Sequence, residues 1–240
     1  MHRYFIELVG EPWLLAEYVY WFPGNDDAYF IVKDDQRLLT GPAFASIDDF
    51  QEVSLLGNTV LDQMHAALAI MHPGLERPRL GIPHRIEADG TETWGDNVGS
   101  LCAMIPGRIR ELPSDLSTIP TPTTAQRMRC AANSNRNLDL ALTIFFLPRT
   151  TWPQLYRCLE EIESFLAMKA STAGMCSEAD RERFTRTANT AEAAGHDARH
   201  GLGKFTPPRR PMTLEEATLF IRSLCIKAID KARSAREGAA

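Results

Sequence analysis

The sequence predicts an α+β protein: an N-terminal antiparallel β-sheet with a covering helix, then a C-terminal helical bundle. Three observations carry this expectation. From Arg3 to Phe44, short apolar and aromatic runs are broken repeatedly by Gly, Pro, Asn and Asp, the pattern of strands joined by turns. Over residues 47–72, apolar side chains recur at helical spacing up to a His-Pro-Gly stop. Beyond the proline-rich stretch 113–122, helical periodicity takes over.

Taken in order, residues 4–9, 17–22, 29–33 and 37–40 are expected to be strands of a β-meander, because β-branched and aromatic residues dominate them and Gly10, Pro12, Pro23, Gly24, Asp34 and Asp35 separate them. Trp13, Tyr18, Tyr20, Trp21 and Phe22 read as core rather than as a base-stacking platform, since cations are scarce around them. Ser46 and Asp49 have the spacing of a capping box. After them Phe50, Val53, Val60, Met64, Leu68 and Met71 form the apolar face of the covering helix. His65 and His72 share one side of that helix, and without a third ligand at compatible spacing they read as packing and C-terminal capping. Asp89 and Gly90 predict a hairpin between residues 84–88 and 91–94, and residues 101–105 and 108–112 are expected to pair around Pro106 and Gly107.

Pro113, Pro120 and Pro122 place the domain boundary, giving an α+β domain over 1–112, a connector over 113–122, a helical domain over 123–235 and a frayed tail over 236–240. Residues 123–147 are expected to form one long helix or two short ones, with the polar run 133–137 as the break and Pro148 as the stop. Thr151 with Gln154 and Thr213 with Glu216 are capping boxes opening amphipathic helices, and Ser177 caps a third. That third helix has a thin apolar face, Phe184 and Ala188, and carries Arg181, Arg183 and Arg186.

With 240 residues of which 44% are hydrophobic, the chain has enough apolar material for a full core. It contains no run of about 18 uncharged apolar residues, and its N-terminus lacks a basic segment followed by an apolar one. A soluble cytoplasmic protein without a membrane partner is expected. The five cysteines, at 102, 130, 158, 176 and 225, show no C-x-x-C spacing and suggest neither a disulfide framework nor zinc. Residues 1–120 hold 8 Lys and Arg against 18 Asp and Glu, whereas residues 121–240 hold 18 against 13. Two readings of this asymmetry stay open: the halves face one another, or the basic half meets RNA or another polyanion.

The stretch from Phe184 to Thr213 is the part that core packing explains least. Arg199, His200 and His196 are the candidate catalytic residues, because imidazole exchanges protons near neutral pH and a guanidinium steadies a phosphate. Asn189, Arg186, Asp197 and Lys204 are candidate ligand-binding residues around them. No metal or cofactor is assigned. His196 and His200 stand four apart, but Gly195 and Gly201 bracket a segment too short for a secure helix. The run from Gly201 to Lys204 lacks both the spaced first glycine of a phosphate loop and a hydroxyl after the lysine, and no G-x-S-x-G elbow occurs. These exclusions favour a non-catalytic binding or regulatory module.

Trp152, Leu155, Tyr156, Phe184, Asn189, Gly195, then Ala198, Arg199, His200 and Gly201, then Pro207, Pro208, Pro211, Met212 and Thr213 form a pattern that resembles a group of bacterial proteins without an assigned function. The likeness spans roughly residues 135–235. More loosely, a helical bundle with an Arg- and His-rich helix end is similar to the HEPN class, many of whose members are ribonucleases in toxin or phage-defence systems. That resemblance implies a metal-independent ribonuclease in which Arg199 steadies the phosphate and His200 or His196 moves the proton, with a homodimer pairing two loops into a cleft. The chain departs from the HEPN pattern, which separates Arg from His by several residues, whereas Arg199 and His200 are adjacent.

Overall fold

The structure is a computed structural model that describes residues 3–24, 26–95, 115–119, 122–147 and 150–238. Its contacts divide the chain into two compact units, Met1–Arg127 and Met128–Ala240.

In the first unit, strands β1 (Arg3–Val9), β2 (Tyr29–Lys33), β3 (Gln36–Thr40), β4 (Arg79–Ile86) and β5 (Glu92–Trp94) form an antiparallel sheet in the order β2-β3-β1-β4-β5. Along β1, buried Tyr4, Ile6 and Leu8 alternate with more exposed Phe5, Glu7 and Val9, the period-two pattern of a strand with unlike faces. Helix α2 (Phe50–Met71) packs on β1 and β4. Gly57 lets it approach closely, because a Cβ there would stand 2.6 Å from Ile6 Cδ1. Asp49 rather than Ser46 is the N-cap: its carboxylate accepts from the backbone N–H groups of Gln51 and Glu52 and so satisfies two orphan donors at once. Asp34 and Asp35, at φ 48° and 61°, make the left-handed two-residue turn of the β2–β3 hairpin. At the β4–β5 hairpin Gly90 has φ 87° and Asp89 accepts from Thr91 N. Strand β4 starts at Arg79. The expected pair at 101–105 and 108–112, and the stop at Pro148, lie outside the described residues.

One expected strand is a helix. Residues 17–21 belong to α1 (Pro12–Trp21) and Phe22 is its C-cap, so the meander is interrupted after β1. Pro12 sits at the first helical position, where its fixed φ suits a helix and its missing N–H costs nothing. Leu14, Leu15, Tyr18, Val19 and Phe22 are buried at helical spacing, and this outweighs the β propensity of Tyr18, Val19, Tyr20 and Trp21. Tyr18 and Phe22 are core; Trp13, Tyr20 and Trp21 are half-buried. Tyr18 meets Phe30 edge-on and brings its Oη within 2.7 Å of His65 Nδ1. Across the sheet, Phe5, His84 and Trp94 stack on three neighbouring strands.

The first turn of α3 (Thr124–Asn133) is tied to the first unit. Thr123 Oγ1 donates to Trp21 O, and Gln126 Nε2 donates to Pro23 O at 3.0 Å while its Oε1 accepts from Thr123 N. The division between the units falls inside this helix.

The second unit continues with α4 (Arg136–Phe145), α5 (Trp152–Leu166), α6 (Glu178–Asn189), the short α7 (Ala191–Ala194) and α8 (Leu214–Glu237). Asn135 caps α4 by accepting from Asn137 N and Leu138 N, so the polar run 133–137 separates two helices. Thr151 and Thr213 each close a full capping box, with Gln154 and Glu216 respectively. Helix α5 packs against α4, α6 and α8. Leu155, Cys158, Leu159 and Ile162 fill its buried face, and Phe184 from α6 is fully enclosed. Burial pushes the Cys225 thiol up to about 12 and raises Cys158 as well, so both are inert apolar groups at neutral pH. Among the described residues, no helix is long and apolar enough to cross a membrane.

Two predictions follow from the packing of the first unit. Gly41 has φ 144°, and a Cβ there would lie 2.4 Å from Asp27 O and 2.7 Å from Ala28 Cα. Gly41→Ala is therefore expected to lower unfolding stability by about 2 kcal/mol, read by urea denaturation. His65 is held neutral, its pKa lowered to about 4 mainly by burial and further by Arg77. In the unfolded chain the imidazole takes up its proton near pH 6.5, so stability falls as pH drops from about 6.5 to about 4, by up to about 3 kcal/mol. Comparing wild type with His65→Gln across that range tests this: the substitution should remove that increment and leave only the carboxylate contribution to acid unfolding.

Candidate functional site

Between α6 and α8 the chain passes through α7, a 3₁₀ turn (Gly195–Asp197) and an extended loop over 198–213. Such a loop has few ladder bonds available to it, so its polar backbone groups must find partners elsewhere. Helix α6 supplies many of them. Arg183 donates from Nε to Arg210 O at 2.8 Å and from its terminal nitrogen to Pro211 O at 3.2 Å and Glu216 Oε2 at 2.9 Å. Arg186 reaches Thr206 O through Nε at 3.4 Å and pairs with Glu182 at 3.2 Å. One turn from Arg183, Thr187 Oγ1 accepts from Met212 N at 3.1 Å while donating to Arg183 O. Glu216 accepts both from Arg183 and from Thr213 N, so the capping box of α8 is bonded directly to α6.

The third arginine of α6 points elsewhere. Arg181 grips Glu163 of α5 with two bonds, at 2.6 and 2.8 Å, and Glu163 also accepts from Ala170 N. Burial alone would raise the Glu163 carboxyl, but Arg181 and the Ala170 N–H outweigh it and hold it below its ordinary range. This forked pair fixes the direction of α6 on α5, and hence the place where its other donors meet the loop.

Arg199 is held at the opposite end of the loop. Its backbone N–H donates to Ala188 O at 2.9 Å, its guanidinium lies 4.2 Å from the centre of the Tyr156 ring, and a terminal nitrogen is 3.1 Å from Glu160 Oε1. Tyr156 and Glu160 stand one turn apart on α5, and the Tyr156 ring also lies near Phe184, at 6.3 Å between ring centres and 22° between planes. The arginine remains 39% exposed.

His200 turns to different partners. Its ring stands 5.0 Å from Phe205 and its Nδ1 3.4 Å from Lys204 Nζ. Partial burial, Lys204 and Arg199 lower its pKa, so the imidazole is neutral near pH 7. His196 and Asp197 are exposed on the 3₁₀ turn. Asn189 ends α6 with its Oδ1 buried and unbonded. Of the residues singled out in the sequence, the structure brings together His200 with Lys204, and Arg186 with the loop backbone; Arg199 and His200 do not converge on a common point. Among the described residues, no group of three or more His, Cys, Asp or Glu is placed to hold a metal ion.

The partners that give the loop its form were not in the candidate set. Arg183 and Thr187 stand four apart on α6, as Tyr156 and Glu160 do on α5, and that i,i+4 spacing was the available signal. At the loop tip Leu202 is 79% and Phe205 41% exposed, with the candidate Lys204 between them and Arg209 and Arg210 following. Gly203, at φ 75°, bends the tip, and its N–H donates to Glu192 at 3.2 Å. No known protein family, curated protein or solved structure matches this chain.

If the Tyr156–Arg199–Glu160 contact fastens the loop, Arg199→Ala should release it. Stacking and a partly exposed ion pair together predict a loss of about 1 kcal/mol in stability. Limited trypsin digestion should then cut faster after Lys204 and Arg209, and Arg199→Lys should not restore protection, because an ammonium cannot lie flat on the ring.

Proposed function

We propose that this protein is a non-catalytic binding or regulatory module whose working surface is the loop tip before α8. The observation that carries this reading is the engagement of Arg199: stacked on Tyr156 and paired with Glu160, it fastens the loop instead of facing a substrate phosphate beside His200. A phosphodiester-cleaving pair needs a cation and a proton carrier within reach of one phosphate. Here the imidazole turns to Phe205 and Lys204 and the guanidinium to α5. The loop's other fastenings at Thr206, Arg210, Pro211 and Met212 support presentation rather than turnover. Ordering the loop in advance lowers the entropy lost when a partner binds, which is how a rigid epitope gains affinity.

The test is incubation of the purified full chain with total cellular RNA in EDTA, read by gel electrophoresis. RNA should stay intact with wild type, Arg199→Ala and His200→Ala alike. Cleavage by wild type that both substitutions abolish, with fold retained by circular dichroism, would replace this reading with that of a metal-independent ribonuclease.

A further inference from the structure

Residues 200–210 hold His200, Lys204, Arg209 and Arg210 and no acidic residue. The guanidinium groups of α6 are taken up by carbonyls and carboxylates, as are those of Arg199. Lys204, Arg209 and Arg210 differ: they are exposed, and the Lys204 ammonium stands 3.4 Å from His200 Nδ1 and 5.8 Å from the centre of the Phe205 ring. Planar groups stand among these charges. Phe205, 41% exposed, has the His200 ring 5.0 Å away and tilted by 42°. An exposed ring beside exposed cations is a surface on which another flat ring can stack.

We infer that the 200–210 loop binds single-stranded nucleic acid, with Lys204, Arg209 and Arg210 meeting successive phosphates and Phe205 stacking on a base. The inference rests on reading the protein as a binding module, and it names that module's ligand. Cations alone would fit any polyanion; cations flanking an exposed aromatic ring fit a polyanion that carries flat rings. A duplex hides its base faces, and a narrow tip cannot follow its grooves. An anionic lipid surface is broad and flat, and it would bring the Glu192 carboxylate, bonded to Gly203 at the tip, against the headgroups.

Fluorescence anisotropy of labelled single-stranded RNA and DNA oligonucleotides, titrated with the full chain at several salt concentrations, tests this. Wild type should bind, with the logarithm of affinity falling against the logarithm of salt at a slope of about −2, as about three phosphate contacts require. Replacing Lys204, Arg209 and Arg210 together by Gln should abolish the salt-dependent binding, and Phe205→Ala should weaken it about tenfold. Melting curves confirm that these surface variants stay folded. No anisotropy change at about 50 mM salt, binding that the triple variant leaves unchanged, or capture by phosphatidylserine vesicles in place of oligonucleotide would each overturn the inference. Electrophoresis of the same RNA separates this idea from the reading beneath it. RNA that is bound through these residues but cleaved keeps the ligand assignment and ends the non-catalytic reading. RNA that is intact and unbound ends the ligand assignment and leaves a module for some other partner.

Discussion

A backbone that leaves a helix and does not enter a sheet still carries a donor and an acceptor at nearly every residue, and each must be bonded to protein or water. For the loop before α8 that demand falls largely on α6, whose Arg183, Arg186 and Thr187 reach the carbonyls of Thr206, Arg210 and Pro211 and the N–H of Met212. The direction of α6 is set in turn by Arg181 on Glu163 and by Phe184 in the core beside Trp152, Tyr156 and Phe220. Removing the Phe184 ring would cost about 3–5 kcal/mol by cavity formation alone, and it would also displace the donors that shape the loop. Core packing and loop geometry are therefore coupled through one helix.

That coupling sorts the basic charges of the second unit into two kinds. Arg181, Arg183, Arg186 and Arg199 have carboxylate or carbonyl partners at 2.6–3.4 Å, and their charge is spent within the unit. Lys204, Arg209 and Arg210 project from the ordered loop into solvent. A count of Lys and Arg along the chain adds the two kinds together. Their separation decides which side chains an anionic ligand could meet, and it moves the centre of the candidate site from Arg199 and His200 toward the tip at Leu202, Lys204 and Phe205.

In the first unit, buried polar groups are matched in a similar way at smaller scale. Tyr18 of α1 meets His65 of α2, 47 residues further along the chain, and Thr40 Oγ1 donates to Tyr4 O between β3 and β1. These contacts sit among fully buried Phe22, Phe30 and Leu61, where an unmatched hydroxyl or imidazole would cost roughly 1–3 kcal/mol. Their specificity helps fix where α1 and α2 lie on the sheet, which apolar contact alone would define less sharply.

Much of the architecture could be read from local pattern. The capping boxes at Thr151 and Thr213, the cap at Ser177, the break near Asn135 and the hairpin at Asp89 and Gly90 are short-range effects, in which a side chain bonds a backbone group two or three residues away or a glycine takes a left-handed turn. The sequence by itself determined these elements, the α+β class and the crowding of Arg and His before the last helix. Local propensity misled at residues 17–22, where aromatic and β-branched side chains speak for a strand and burial of a helical face prevails. Only the tertiary structure decided the order of the strands, the pairing of Tyr18 with His65, and which arginines are engaged, because each depends on residues far apart in the chain, as Arg3 is from Ile86 where β1 meets β4. Arg199 shows the reason most plainly: nothing near it in the chain reveals that Tyr156 and Glu160, on another helix, take up its charge.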